Sequence, residues 1–355
     1  MSFVAIHLGA GFHSQKLAKR YETLCSEACR LGIRLLESEN LNAQAAAAGI
    51  CKFLEDDPLT NSGTGSNLTA TGTIECDASI MSSEHNRGAS VGCISGVKNP
   101  VLVAEKLLSV SFTPLSAGRV APLFLVGEGA RQFANDQQLE LASLETLATK
   151  SAIIRYEYWS EILNSPGASS IANPSNDDDD LITDTVGVIC VDLDGHIAVA
   201  SSSGGIAMKQ CGRIGPAALI GSGIWAARDA HSGSKVAVCT SGTGEDIISY
   251  NLASRCAQQL LNSDDEHQTV ASLLSDFSQS PAIQLLPAAG GILAVKTELD
   301  PDNSRDILLQ AFYGHTTKSM CAGFMASKWD SPKVSVSRTP NGRPSVLGTA
   351  VRIRH

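Results

Sequence analysis

The segment Leu181-Ile182-Thr183-Asp184-Thr185-Val186-Gly187 runs from an acidic, polar stretch straight into a β-patterned one that begins with threonine. If the Asp184–Thr185 peptide bond breaks, Thr185 presents a hydroxyl nucleophile and an amine base within one residue. A free α-amine titrates near ~7.7–8.0, so an appreciable fraction is neutral at physiological pH. The branched Cβ of threonine restricts χ1 and so helps hold the Oγ in one direction. An Asp-Thr pair also opens many ordinary strands, so the surrounding residues carry the argument.

Those residues must build a frame for Thr185. Positions 185 to 200, TVGVICVDLDGHIAVA, read as a strand, a turn at Asp194-Gly195 and a second strand, because Asp-Gly between apolar β-rich runs is a strong hairpin signal. Next come Ser201-Ser202-Ser203-Gly204-Gly205, then Lys209 and Gly212-Arg213-Ile214-Gly215. Clustered small hydroxyls and glycines let backbone and ligand approach closely, and Lys209 and Arg213 supply positive charge for a carboxylate. On the other side of the junction, Asn164 to Asp180 shifts to Asn, Ser, Pro and Gly with four consecutive aspartates. That composition marks a solvated, flexible tether, and a cleavage junction needs slack on one side.

The remaining chain is read by exclusion. A net charge of −9 argues against a direct nucleic-acid binder. No stretch approaches the ~18 apolar residues of a membrane span. The ten cysteines show no paired zinc-like spacing, and Met1 to His7 holds only a short apolar run before glycine. Free thiols in a reducing compartment are expected, hence a cytoplasmic or nuclear location, with Cys25 and Cys29 as core packing. Gly63-Thr64-Gly65 and Gly242-Thr243-Gly244 complete neither a P-loop nor a dinucleotide fingerprint. Apolar strands alternate with helical stretches at Gln15 to Ser38 and Asn42 to Asp56, which fits a layered α/β fold.

A family resemblance adds to this reading. Asp184 to Trp225 closely resembles the segment around the nucleophile in the type 2 asparaginase group of N-terminal nucleophile hydrolases. Ile6-His7-Leu8-Gly9-Ala10-Gly11, Asp57 through Leu68 and Glu75 through Met81 resemble the same group. Within it the closest likeness is to the threonine aspartases, or taspases. That likeness runs through Gly11-Phe12-His13-Ser14, Ser109 to Arg119, Leu125-Val126-Gly127-Glu128-Gly129 and His315 through Cys321. It covers nearly the whole chain except roughly residues 136 to 180.

The resemblance implies a four-layer αββα sandwich with two packed antiparallel sheets. It implies self-cleavage into residues 1–184, with a flexible acidic linker at 164–180, and residues 185–355, the two together forming one domain. By position, Thr185 matches the nucleophile, Asp184 the new C-terminus, and Ser203 a hydroxyl that supports the threonine amine. Ser241 and Gly242 match the oxyanion-stabilising pair, Arg213 the guanidinium that grips a substrate carboxylate, and Asn61 and Gly9 groups near the junction. No metal or organic cofactor is implied, although in some relatives the first glycine loop holds an alkali cation.

The implied activity is a threonine endopeptidase that cuts protein substrates after aspartate, nuclear regulators among them. An asparaginase or isoaspartyl dipeptidase acting on small molecules is the alternative, and an uncleaved binding module a third. The assembly is αβ or (αβ)2. Two departures stand out. Asparaginases place an aspartate three residues after the arginine to hold the free amino group of their substrate, but that position here is Pro216. The basic nuclear-import segment that threonine aspartases carry before the nucleophile is replaced by acidic residues.

Overall fold

The computed structural model describes residues 1–165, 185–279, 288–300, 303–339 and 343–353. Asp184 and nearly all of the 164–180 segment therefore lie outside the described residues.

The chain opens with β1 (Phe3–Gly11), α1 (Ala18–Glu37), α2 (Ala43–Glu55), β2 (Cys76–Ser82), β3 (Arg87–Ile94) and α3 (Pro100–Val110). It continues through β4 (Phe124–Val126), α4 (Gly127–Asp136), α5 (Leu144–Leu147) and α6 (Lys150–Asn164). After the junction come β5 (Val186–Val191), β6 (Ile197–Ser203), β7 (Ile224–Arg228) and β8 (Lys235–Gly242). Three helices follow, α7 (Gly244–Tyr250), α8 (Leu252–Leu261) and α9 (Glu266–Ser278). The chain closes with β9 (Gly290–Asp300), β10 (Asn303–His315), β11 (Ser319–Ala326), β12 (Lys333–Arg338) and β13 (Ser345–Ile353).

The fold is mixed α/β. Eight strands form one sheet in the order β12-β11-β1-β5-β6-β2-β3-β4, and five form the other in the order β13-β10-β9-β8-β7. Strand alternation divides the apolar residues between cores. On β1, Val4, Ile6 and Leu8 pack with α1 and α2 against one face of the large sheet, while Phe3 and Ala5 pack toward the small sheet. A third core joins Val236 and Val238 of β8 to Leu252, Cys256 and Leu260 of α8 and to Leu273 and Phe277 of α9.

The helices are amphipathic in the usual way. Leu24, Cys25, Ala28, Cys29, Leu35 and Leu36 recur at helical spacing on α1 and are buried, so Cys25 and Cys29 are core residues. Asn42 caps α2 by accepting the Ala45 N–H.

One pairing departs from the expected antiparallel sheets. β3 pairs parallel with β4. The chain between them passes through α3, the crossover that a parallel pair requires. The hairpin read at Asp194-Gly195 is present, with β5 and β6 joined around Gly195 at φ 72°. Asp192 shapes that turn by accepting the N–H groups of Asp194 and His196.

Candidate active site

Hairpin register brings the first two site residues together. Val186 pairs with Ser202 and Gly187 with Ser201, so Thr185 lies opposite Ser203 on the next pair outward. Alternation points Ser201 and Ser203 to the same face as Ile197 and Val199, between the sheets. Thr185 Oγ1 donates to Ser203 Oγ at 3.1 Å, and Ser203 Oγ also accepts the Gly205 N–H at 3.0 Å. Ser202 points the other way, donating to the buried Glu55 Oε1 at 2.6 Å. Burial pushes the Glu55 carboxyl up to about 8, against hydrogen bonds from Ser202, Val101 and Asn99.

Against the start of β5 packs a residue to which the sequence reading gave no role. His7 pairs across β1 and β5 with Gly187, and a Cβ on that glycine would sit 2.2 Å from His7 Nε2. Only glycine leaves space there for the imidazole. Burial pushes His7 down to about 3, against the pull of the Thr185 backbone, so the ring is neutral. Its Nδ1 accepts the Gly9 N–H at 3.2 Å, which assigns the ring proton to Nε2. A histidine inside a buried strand, two residues before Gly9-Ala10-Gly11, was the available signal.

The irregular end of β1 after His7 joins the two sheets. Gly9 holds φ 101°, and the next residue, Ala10, donates its N–H to Ser241 Oγ on β8 at 3.0 Å. Accepting that bond leaves the Ser241 hydroxyl proton free to donate. Gly242 follows at φ 137°, where a Cβ would lie 2.3 Å from the Ala289 carbonyl oxygen. No other residue fits there.

Thr185, Ser203, Asn61, Arg213 and Gly242 all line one cavity of about 520 Å³. Ser241 lies just behind its wall, and Gly9 contributes through its neighbours Ala10 and Gly11. Asn61 ties the first glycine loop to the strand end, accepting from Asn67 N at 2.9 Å and donating to the Gly205 carbonyl at 2.8 Å. Trp159 of α6 and Pro216 add apolar wall, and sequence reasoning assigned no role to Trp159.

Positive charge concentrates at one end. Arg213 is ion-paired with Glu245, whose Oε1 accepts from Nε at 2.8 Å and lies 2.7 Å from Nη2. Asp77, buried on β2, accepts the N–H groups of Cys93 and Gly215 and so fixes the loop that carries Arg213. Lys209, read as a second cation for substrate, is not among the residues lining the cavity. It is 2% exposed and its Nζ donates to the Glu75 carbonyl at 2.7 Å, since a buried ammonium must be hydrogen-bonded. It still lies close behind the wall: a Cβ on Gly205 would be 3.2 Å from Lys209 Nζ and 3.3 Å from Arg213 Nη1. Two cations thus flank one point of the cavity.

The chemistry available is narrow. Among the described residues that line the cavity, the only ionisable side chains are Arg213 and Glu245, and these neutralise each other. No lining histidine, cysteine or lysine stands ready as a general base. Asp192, Asp194 and His196 gather ligand atoms within 4.8 Å of one another at the far end of β5, about 20 Å along the strand from Thr185. Asp192 there accepts the backbone N–H groups of Ala43, Asp194 and His196, which accounts for its position as turn structure. No helix among the described residues is long and apolar enough to cross a membrane.

Known proteins place the chain in context. A family model described as Asparaginase (Asparaginase_2) matches residues 1–298. A probable isoaspartyl peptidase/L-asparaginase 2 of Arabidopsis thaliana is 34% identical over 268 residues, covering 70% of this chain and 78% of the relative. The mouse (Mus musculus) isoaspartyl peptidase/L-asparaginase is 33% identical over 264 residues, 74% of this chain and 72% of the relative. An isoaspartyl peptidase of Salmonella typhimurium is 30% identical over 312 residues, 83% and 89% respectively. These similarities reach the asparaginase group, and the narrower likeness to threonine aspartases rests on the sequence motifs.

Proposed function

This chain belongs to the type 2 asparaginase family of hydrolases, and from that premise we propose a self-cleaving threonine hydrolase that cuts peptides after aspartate. The observation that carries the choice of nucleophile is the cavity wall: Thr185 sits there on Ser203, with no side-chain base among the described lining residues. In the first turnover Thr185 Oγ attacks the Asp184 carbonyl, the C–N bond breaks, and the Thr185 nitrogen becomes a free amine. Water then hydrolyses the ester. The four-layer αββα arrangement is our reading of three cores separated by two sheets.

In later turnovers the amine takes the Oγ proton as Oγ attacks the aspartyl carbonyl of the substrate. The Ser241 hydroxyl and Gly242 N–H hold the oxyanion, a contribution typically about 3 kcal/mol per donor. The leaving amine takes the proton, and water activated by the same amine cleaves the ester. Arg213 reads the aspartyl carboxylate.

Pro216 supports a peptide over a free amino acid, because it lines the cavity with neither charge nor side-chain acceptor where an ammonium would need one. The second reading, an isoaspartyl peptidase or asparaginase, is better backed by the names of the relatives. Incubating the cleaved protein with an aspartyl peptide and with L-asparagine under matched conditions separates them. Peptide cleavage is expected to be faster, with large loss when asparagine replaces the aspartate. Faster ammonia release from L-asparagine would establish the second reading instead.

A further inference from the structure

The last carbonyls of a helix have no acceptor role left inside it and must find donors outside. At the end of α2 the first glycine loop, residues 56–68, folds back to supply them. Thr64 donates its N–H to the Glu55 carbonyl at 2.8 Å, and the Thr60 hydroxyl donates to the Leu54 carbonyl at 2.8 Å. The same Thr60 Oγ1 lies 3.2 Å from the Asp57 carbonyl, 3.5 Å from the Ser62 carbonyl and 3.0 Å from Ser62 Oγ. Four oxygens of three residues therefore converge on one hydroxyl. Thr60 is 4% exposed and Ser62 fully buried, so the cluster is closed to bulk water.

Inward-facing carbonyls of this kind can hold an alkali cation, and likeness to the asparaginase group implies one in this loop. The donor set would suit such an ion, but the space does not: the atom that the carbonyls face is Thr60 Oγ1. The polar groups are also met without it. The Asp57 carbonyl accepts the Thr60 N–H at 3.2 Å, and the Ser62 hydroxyl is a second donor within the cluster. Positive charge reaches the loop from the chain itself, because Arg155 of α6 donates to the Gly65 carbonyl at 3.0 Å and to Asn67 Oδ1 at 3.1 Å.

We infer that the Thr60 hydroxyl stands in the place of a loop cation, so that this chain holds its first glycine loop in shape without an alkali ion. The consequence reaches the cavity through the next residue. Asn61 accepts from Asn67 N and donates to the Gly205 carbonyl, which ties the loop to the strand end that carries Ser203.

Thermal unfolding and turnover in potassium, sodium and tetramethylammonium chloride, at an equal ionic strength of about 0.1 M, test this. Wild-type protein should unfold within about 1 °C of one temperature in all three salts, since an ion that does not bind the native state cannot stabilise it. Thr60→Ala removes the hydroxyl and opens the centre of the cluster. It should unfold about 2–6 °C lower in tetramethylammonium chloride, with potassium or sodium restoring about half of the loss or more. Thr60→Val fills the same space without a donor, so it should lose stability and gain nothing from alkali ions. Thr60→Ser keeps the hydroxyl and should behave as wild type in every salt. A wild type that loses unfolding temperature or turnover in tetramethylammonium chloride would overturn the inference, as would a Thr60→Ala protein that alkali ions leave unchanged. If Thr60→Ala does not fold, the wild-type comparison still decides. Unfolding temperatures need no substrate, so this outcome is separate from whether the enzyme cuts peptides or small amides.

Discussion

Replacing Ser203 by alanine removes a hydroxyl that touches Thr185 Oγ1 at 3.1 Å and the Gly205 N–H at 3.0 Å. Each neutral hydrogen bond nets about 0.5–1.5 kcal/mol. If both contacts serve the transition state, the barrier rises by about 1–3 kcal/mol, or about 5- to 150-fold in kcat. Ser202→Ala is the matched control because it alters the adjacent residue on the opposite face. It takes a donor from the buried Glu55 Oε1, so it should cost about 1–3 kcal/mol of stability and leave kcat near wild type. Ser201 Oγ donates to the Val186 carbonyl at 3.0 Å, and its alanine variant should also register in stability rather than rate. The assay is peptide turnover per free Thr185 N-terminus, counted by mass spectrometry, beside a thermal unfolding curve for each variant. Loss of kcat in Ser202→Ala equal to that in Ser203→Ala, with unchanged unfolding temperatures, would refute the argument from register and alternation.

Wild-type protein should resolve into residues 1–184 and 185–355, while Thr185→Ala stays a single chain; intact mass reads this directly, and cleavage of the variant at the same bond would point to an external protease. Glu55 carries a pH signature. Burial raises its pKa from 4.5 to about 8, so the stability it contributes is full below about 4.5 and is lost as pH rises through about 8. Glu55→Gln keeps the shape without that titration, so its stability relative to wild type should improve steadily across this window, as read by denaturant melts at several pH values. A constant difference between pH 4.5 and pH 8 would mean that Glu55 ionises normally in the folded protein.

Much of the site was legible because strand pairing is a local code. The Asp-Gly turn, the apolar alternation on both sides of it and the separation of Thr185 from Ser203 follow from one hairpin, where a slip of one residue would exchange Ser203 for Ser202. The family motifs carried Asn61, Arg213 and Gly242 to the same cavity wall. What the sequence could not convey were the contacts between elements far apart in the chain. The Ala10–Ser241 bond joins two sheets across 231 residues of sequence. The contact of Glu245 with Arg213 and the fit of His7 over Gly187, on paired strands of one sheet, likewise exist only once segments distant in sequence meet. Lys209 illustrates the limit in the other direction. Its charge and position suggested a ligand contact, but the direction of a long side chain is set by the packing around it, and here that packing turns the ammonium to the Glu75 carbonyl. Hydrogen-bond register within a hairpin is fixed by neighbours in sequence, whereas which side chains meet across two sheets about 10 Å apart is fixed by the volume and direction of every residue between them.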